Sequence, residues 1–247
     1  MKKYITLLCF AILVSCSDSS DATESLSTDG KEGSTATFIL KNNYMYVVDQ
    51  ANLNVFSLID PANPVKVKTV DVGFNIETLF SMDNYLFIGS RNGMFIYNIS
   101  QNPETPAFVS KALHFTACDP VVANSTHAYV TLHSNTTCNA ADNNKLLIYN
   151  IANIQNPLLV SERNLLEPKG LALSGNYLFI CDRDDIVIFN ISNPQNVTVA
   201  KTIANIPARD LIIDGNHLFA FTTTTVHQFN IDPSNIQNIT PVSTLPL

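Results

Sequence analysis

The stretch YLFICDRDDIVIFNISNP, from Tyr177 to Pro194, decides the fold. An apolar run meets a polar turn, a second apolar run follows, and an Asn- and Pro-bearing bend ends the unit. Versions of this unit recur from Tyr44, Tyr85, His127 and His217, at spacings of 41, 42, 50 and 40 residues. Repeats of that length predict a propeller in which each repeat is one four-stranded sheet. The expected architecture is therefore all-β, a five-bladed β-propeller of four-stranded antiparallel blades. Its units fall at about 35–72, 73–115, 116–166, 167–206 and 207–247.

Each unit supplies four strands. The first is short and apolar, such as Leu211-Ile212-Ile213, and ends in a tight turn such as Asp83-Asn84, Gly175-Asn176 or Gly215-Asn216. Asn, Asp and Gly tolerate positive φ and suit short hairpins, whereas Ser125-Thr126 fits that role less well. The second strands (YMYVV, YLFIG, HAYVT, YLFIC, HLFAF) are continuously apolar, which implies burial on both faces. The third strands carry an aromatic column, Phe56, Tyr97, Tyr149, Phe189 and Phe229, expected to pack between blades. Pro and Asn then stop the ladder, and a fourth strand such as VKVKTV alternates polar and apolar residues, as an outer strand should.

The segments Ile188-Phe189-Asn190-Ile191-Ser192-Asn193-Pro194 and Ile96-Tyr97-Asn98-Ile99-Ser100, with Pro103, resemble the repeat of the LVIVD family of exported bacterial and archaeal proteins. The Asp usual in that motif is replaced by Asn98, Asn150, Asn190 and Asn230, and by Ser57 in the first unit. The resemblance implies a propeller in the cell envelope more than an activity. Five complete units also leave the ring to close between intact blades, with no strand shared by the two ends. The junction of first and last blades is thus the expected weak seam.

The N-terminus reads as an export signal over residues 1–15. Lys2 and Lys3 precede an apolar run from Tyr4 to Val14, too short to span a bilayer. Leu13-Val14-Ser15-Cys16 resembles the bacterial lipobox, which implies lipidation of Cys16 and attachment to a membrane. Residues 16–34 are polar and read as the lipidated Cys and a flexible tether. Asp18, Asp21 and Glu24 resemble the acidic patch of surface-exported lipoproteins in Bacteroidota-like bacteria. The expected location is the cell envelope, on the outer membrane, facing either the surface or the periplasm. A net charge of -7 without a basic stripe argues against nucleic-acid binding.

Cys118 and Cys138 bracket the third unit's first two strands. Cys138 sits in the insertion that lengthens that unit, LHSNTTCNAADNN. In an up-and-down blade their two loops share one end, so a disulfide between them is expected in an exported protein. A bridge across about 20 residues contributes roughly 3 kcal/mol in the loop-entropy picture. The rivals are a metal site with His114 and His133, and two free thiols. Cys181 reads as an inert core thiol.

One charged set emerges from the alignment. Glu77, Asp119, Lys169 and Arg209, with Ala36 in the first unit, begin the innermost strands and ring the mouth of the central channel. They form either a candidate site for a polar or zwitterionic ligand or an ion-pair ring holding blades in register, with Asp210 beside Arg209 favouring the ring. Asp182-Arg183-Asp184-Asp185 lacks the Gly and Glu of a calcium loop and reads as a solvated turn. No nucleophile elbow, phosphate loop or zinc-protease motif occurs. The expectation is a non-catalytic binding or scaffolding propeller without metal or cofactor, its partner a glycan or envelope protein. The alternative is a glycoside-hydrolase-like enzyme using Glu77 and Asp119 at the axis.

Overall fold

The computed structural model describes residues 33–114, 120–134 and 144–247. Cys16, Cys118, Asp119 and Cys138 lie outside these residues, so the expected lipidation site, the disulfide and one member of the charged set do too.

Among the described residues, twenty strands form five separate four-stranded antiparallel sheets, each a simple meander, arranged as a propeller. Blade 1 contains β1 (Phe38–Lys41), β2 (Tyr44–Val48), β3 (Asn52–Ser57) and β4 (Val65–Asp71). Blade 2 contains β5 (Ile76–Met82), β6 (Tyr85–Ser90), β7 (Gly93–Asn98) and β8 (Ala107–Leu113). Blade 3 contains β9 (Val121–Ala123), β10 (His127–Leu132), β11 (Lys145–Asn150) and β12 (Leu158–Asn164). Blade 4 contains β13 (Pro168–Ser174), β14 (Tyr177–Asp182), β15 (Asp185–Asn190) and β16 (Thr198–Ile203). Blade 5 contains β17 (Asp210–Asp214), β18 (His217–Phe221), β19 (Thr225–Asn230) and β20 (Thr240–Pro246).

The turn chemistry explains the hairpins. Asn42, Asn43, Asp83, Gly175 and Gly215 all take positive φ between first and second strands. Blade 3 solves the same turn differently. The Asn124 side-chain oxygen accepts the N–H groups of Thr126 (3.0 Å) and His127 (2.8 Å), so Ser125-Thr126 needs no left-handed residue. The Asn that replaces Asp at the end of the third strand has a similar use. Asn98, Asn150 and Asn190 each accept the N–H two residues on, at 2.6, 2.9 and 2.9 Å. That job requires an acceptor oxygen and no charge, so Asn serves as well as Asp.

Every blade also carries a bulge at one place, where third and fourth strands shift register just before the aromatic column: Val55/Phe56, Ile96/Tyr97, Ile148/Tyr149, Ile188/Phe189 and Gln228/Phe229. A bulge increases local twist. Here it does so in each sheet beside the aromatic, which in blades 2 to 5 packs against the preceding blade.

The core lies between blades. One apolar cluster joins blades 1 and 2 (Tyr46, Val55, Leu86, Tyr97) and a second joins blades 2 and 3 (Phe87, Ile96, Val130, Tyr149). A third joins blades 3 and 4 (Tyr129, Ile148, Ile180, Phe189), and a fourth joins blades 4 and 5 (Phe179, Ile188, Leu218, Phe229). Among the described residues no such cluster joins blades 5 and 1. The fourth strands are largely exposed, as an outer position requires.

The junction difference fixes the cost of core deletions. Leu178 is fully buried, whereas Met45, in the same column of blade 1, is only half-buried. Leu178→Ala should destabilise the chain by about 2–5 kcal/mol, and Met45→Ala by well under about 2 kcal/mol. Equal losses in urea unfolding would mean that the fifth and first blades pack like the rest.

Candidate binding site at the channel mouth

All five blades contribute to one cavity of about 420 Å³ at the axis, lined by Thr35, Glu77, Thr78, Pro120, His133, Lys169 and Arg209. Three of the four charged residues expected at the channel mouth are thus brought together. Thr35 stands in the place anticipated for Ala36.

The inner strands that carry these residues are tied to one another by hydrogen bonds. Thr131 Oγ1 donates to the Lys169 carbonyl at 2.7 Å, joining blades 3 and 4. The Gly170 N–H donates to the Arg209 carbonyl at 2.9 Å, joining blades 4 and 5. The Leu79 N–H donates to the Ala36 carbonyl at 2.8 Å, joining blades 2 and 1. Between blades 5 and 1 the tie is the Asp210 carboxylate. It accepts Ser34 Oγ at 3.1 Å, Thr35 Oγ1 at 2.6 Å and the Thr35 N–H at 3.3 Å. Ser34 Oγ in turn accepts the Leu171 N–H at 2.7 Å. A Cβ at Gly33 or Gly170 would collide with the Asp210 carboxylate, so both close approaches depend on glycine.

Two sequence readings need correction here. Ser34, placed at the end of a flexible tether, is only 1% exposed, so the folded domain begins no later than Gly33. Composition marks this stretch as polar and cannot show that its hydroxyls meet a carboxylate 176 residues away. Nor do the described members of the charged set pair from blade to blade. Glu77 pairs with Arg91 at 3.0 Å and Lys169 with Glu167 at 3.4 Å, each within its own blade. Asp210 serves the clasp instead of Arg209. Among the described lining residues Arg209 meets no carboxylate, and the cations Lys169 and Arg209 stand beside one acid, Glu77.

His133 is the residue that reasoning from charge columns missed as part of this wall. Burial pushes its imidazole below the usual histidine range. The Lys169 charge acts in the same direction, and Glu167 and an Asn144 hydrogen bond oppose it. His133 is therefore neutral near pH 7, a form able to accept a proton. Its position directly after β10, just before the long insertion, was the available signal. His114 lies elsewhere, in a smaller cleft with Leu113, Lys145 and Tyr149. The two histidines do not share a site, and no group of metal-ligating side chains occurs among the described residues.

Other singled-out residues are structural. Cys181 is buried, and desolvation raises its thiol far above the ordinary range, consistent with an inert core group. The acidic turn after it is less solvated than expected. Asp182 is buried and accepts the N–H groups of Leu166 (2.9 Å) and Glu167 (2.6 Å), fixing the entry to β13.

Asp210→Ala removes the acceptor that closes the axis between blades 5 and 1. It should cost about 1–3 kcal/mol, read as a lowered urea midpoint. An unchanged midpoint would remove the clasp from the account.

Solved structures share the fold at low identity. A protein of unknown function from Desulfotomaculum acetoxidans superposes with a TM-score of 0.67 at 14% identity, covering 82% of this chain and 66% of that one. A candidate 6-phosphogluconolactonase from Bacteroides fragilis gives 0.66 at 13%, covering 85% and 69%. The periplasmic gluconolactonase of Pseudomonas aeruginosa gives 0.62 at 13%, covering 83% and 68%. The chain spans about two-thirds of the length of these structures. No curated protein matches the sequence. The expectation of a non-catalytic propeller does not stand, because chains of this fold include two named as lactonases. The absence of short catalytic motifs was no guide, since a channel-mouth site draws single residues from separate blades. The LVIVD repeat family matches at residues 32–72 and 168–204, so two of the five blades, the first and the fourth, carry the LVIVD repeat.

Proposed function

We propose that the axial cavity takes a small sugar lactone and the sugar acid formed from it, and opens the lactone by hydrolysis. The observation that carries this reading is the convergence of Lys169, Arg209 and the neutral His133, from three successive blades, on one cavity. Lys169 and Arg209 supply donors for a carboxylate or for the oxyanion formed when water adds to the lactone carbonyl. His133 accepts the proton of that water. Collapse of the adduct breaks the ring C–O bond, and the imidazolium returns the proton to the departing ring oxygen. Glu77, held by Arg91, is left to accept sugar hydroxyl groups. The choice of substrate class is supported by the names of the two lactonase relatives, and the choice of site by this chain's own charges.

The reading extends to location. The Lys2-Lys3 start, the apolar run from Tyr4 to Val14 and Cys16 support an exported chain anchored by lipid in the envelope, with envelope glycans as one source of sugar acids.

The test is ring opening of glucono-1,5-lactone followed by pH-stat, alongside calorimetric titration with gluconate. Opening faster than the spontaneous rate should fall about a hundredfold or more in Lys169→Ala with Arg209→Ala, by loss of oxyanion donors. Gluconate binding lost in that variant, without turnover in the native chain, would retain the site and remove hydrolysis. Neither turnover nor binding would remove both.

A further inference from the structure

Strand β13 breaks from its own sheet where it borders the cavity. Pro168 pairs with Asp182 and Leu171 with Ile180, so the register shifts across Lys169 and Gly170. An irregularity of this kind releases backbone groups from the ladder. The peptide that joins Lys169 to Gly170 finds both of its partners in other blades. Its carbonyl accepts Thr131 Oγ1 of blade 3 at 2.7 Å, and its N–H donates to the Arg209 carbonyl of blade 5 at 2.9 Å. One peptide plane therefore links the three segments that bring His133, Lys169 and Arg209 to the cavity.

The two ends of that plane differ in kind. The Arg209 end is backbone to backbone, and glycine permits it, since a Cβ at Gly170 would lie 2.7 Å from the Arg209 carbonyl oxygen. The Thr131 end depends on a side chain. The residues at this register position of the five second strands are Val48, Gly89, Thr131, Cys181 and Phe221. Only Thr131 has a hydroxyl, and it stands in the blade before Lys169. Thr131 is fully buried, and its N–H donates to the carbonyl of Pro120, a further residue of the cavity wall, at 3.1 Å. His133 follows two residues later, just past the end of the same strand.

We propose that Thr131 is the positioning residue of this site, holding the Lys169–Gly170 peptide so that both cations and the imidazole keep their places around the ligand. That role presupposes the lactone reading of the cavity. The hydroxyl is committed to the Lys169 carbonyl, so it acts through the peptide and not on the substrate. A lactone carbonyl is neutral when it binds and gains its oxyanion only once water has added. Misplaced donors therefore slow the chemical step and leave substrate binding nearly as it was.

Thr131→Val removes the hydroxyl and keeps the branched shape. Val48 fills the same place in blade 1 and is buried there, so the fold accommodates that side chain. Steady-state opening of glucono-1,5-lactone by the full chain should show kcat lowered about tenfold to a hundredfold, with KM changed by less than about threefold. Thr131→Ser keeps the donor and should return kcat to within about threefold of the native value. Native turnover with kcat unchanged in Thr131→Val would overturn the proposal and leave the lactone reading standing. A loss that Thr131→Ser fails to rescue would do the same, because packing alone then accounts for it. If the native chain binds gluconate without turnover, calorimetry should show that binding weakened at least about tenfold in Thr131→Val and restored in Thr131→Ser. Equal binding in both variants would overturn the proposal. Neither turnover nor binding in the native chain would remove the lactone reading and this role together.

Discussion

Sheets apolar on both faces cannot stand alone, and the whole structure follows from that constraint. Each second strand carries apolar residues to both sides, so each blade requires a neighbour on both sides. Stacking repeats meets the demand at every internal junction, and the four apolar clusters are its physical record. A linear array always leaves two faces over. A propeller removes them by curving until the ends meet. Here the ends meet through three hydrogen bonds to one carboxylate, where the other junctions have sealed cores.

That economy at the seam places the candidate site. The clasp holds Gly33–Thr35 against blades 4 and 5, so Thr35 becomes part of the cavity wall beside Arg209 and Lys169. Site and seam therefore share their supports: Asp210 sits next to Arg209 in sequence, and Gly170 follows Lys169. Among the described residues near the cavity, Glu77 is committed to Arg91 and Asp210 to hydroxyls. The first commitment lies within one blade and the second closes the seam, so Lys169 and Arg209 are not the side chains that hold blade 5 to blade 1.

Much of this was legible in the chain. The repeat gave strand order, hairpin turns and buried second strands, because local propensity and burial act in phase within each unit. It also located Glu77, Lys169 and Arg209 on one rim, since equivalent positions in a propeller lie on a circle. What escaped were contacts between residues with no equivalent in the other blades. The Ser34–Asp210 clasp joins a unique N-terminal segment to a unique acid. His133 lies beside an insertion found in one blade alone. The bulge before the aromatic column occurs in all five blades but leaves no residue signature, since it is a register shift set by twist.

Native-state hydrogen exchange, strand by strand around the ring, tests the central claim most directly. The account predicts that β6, β10 and β14 exchange only through global unfolding, while β2 and β18 open earlier and at lower free energy. Equal protection in all five second strands would contradict it, and would mean that the fifth and first blades share a core as tight as the other four.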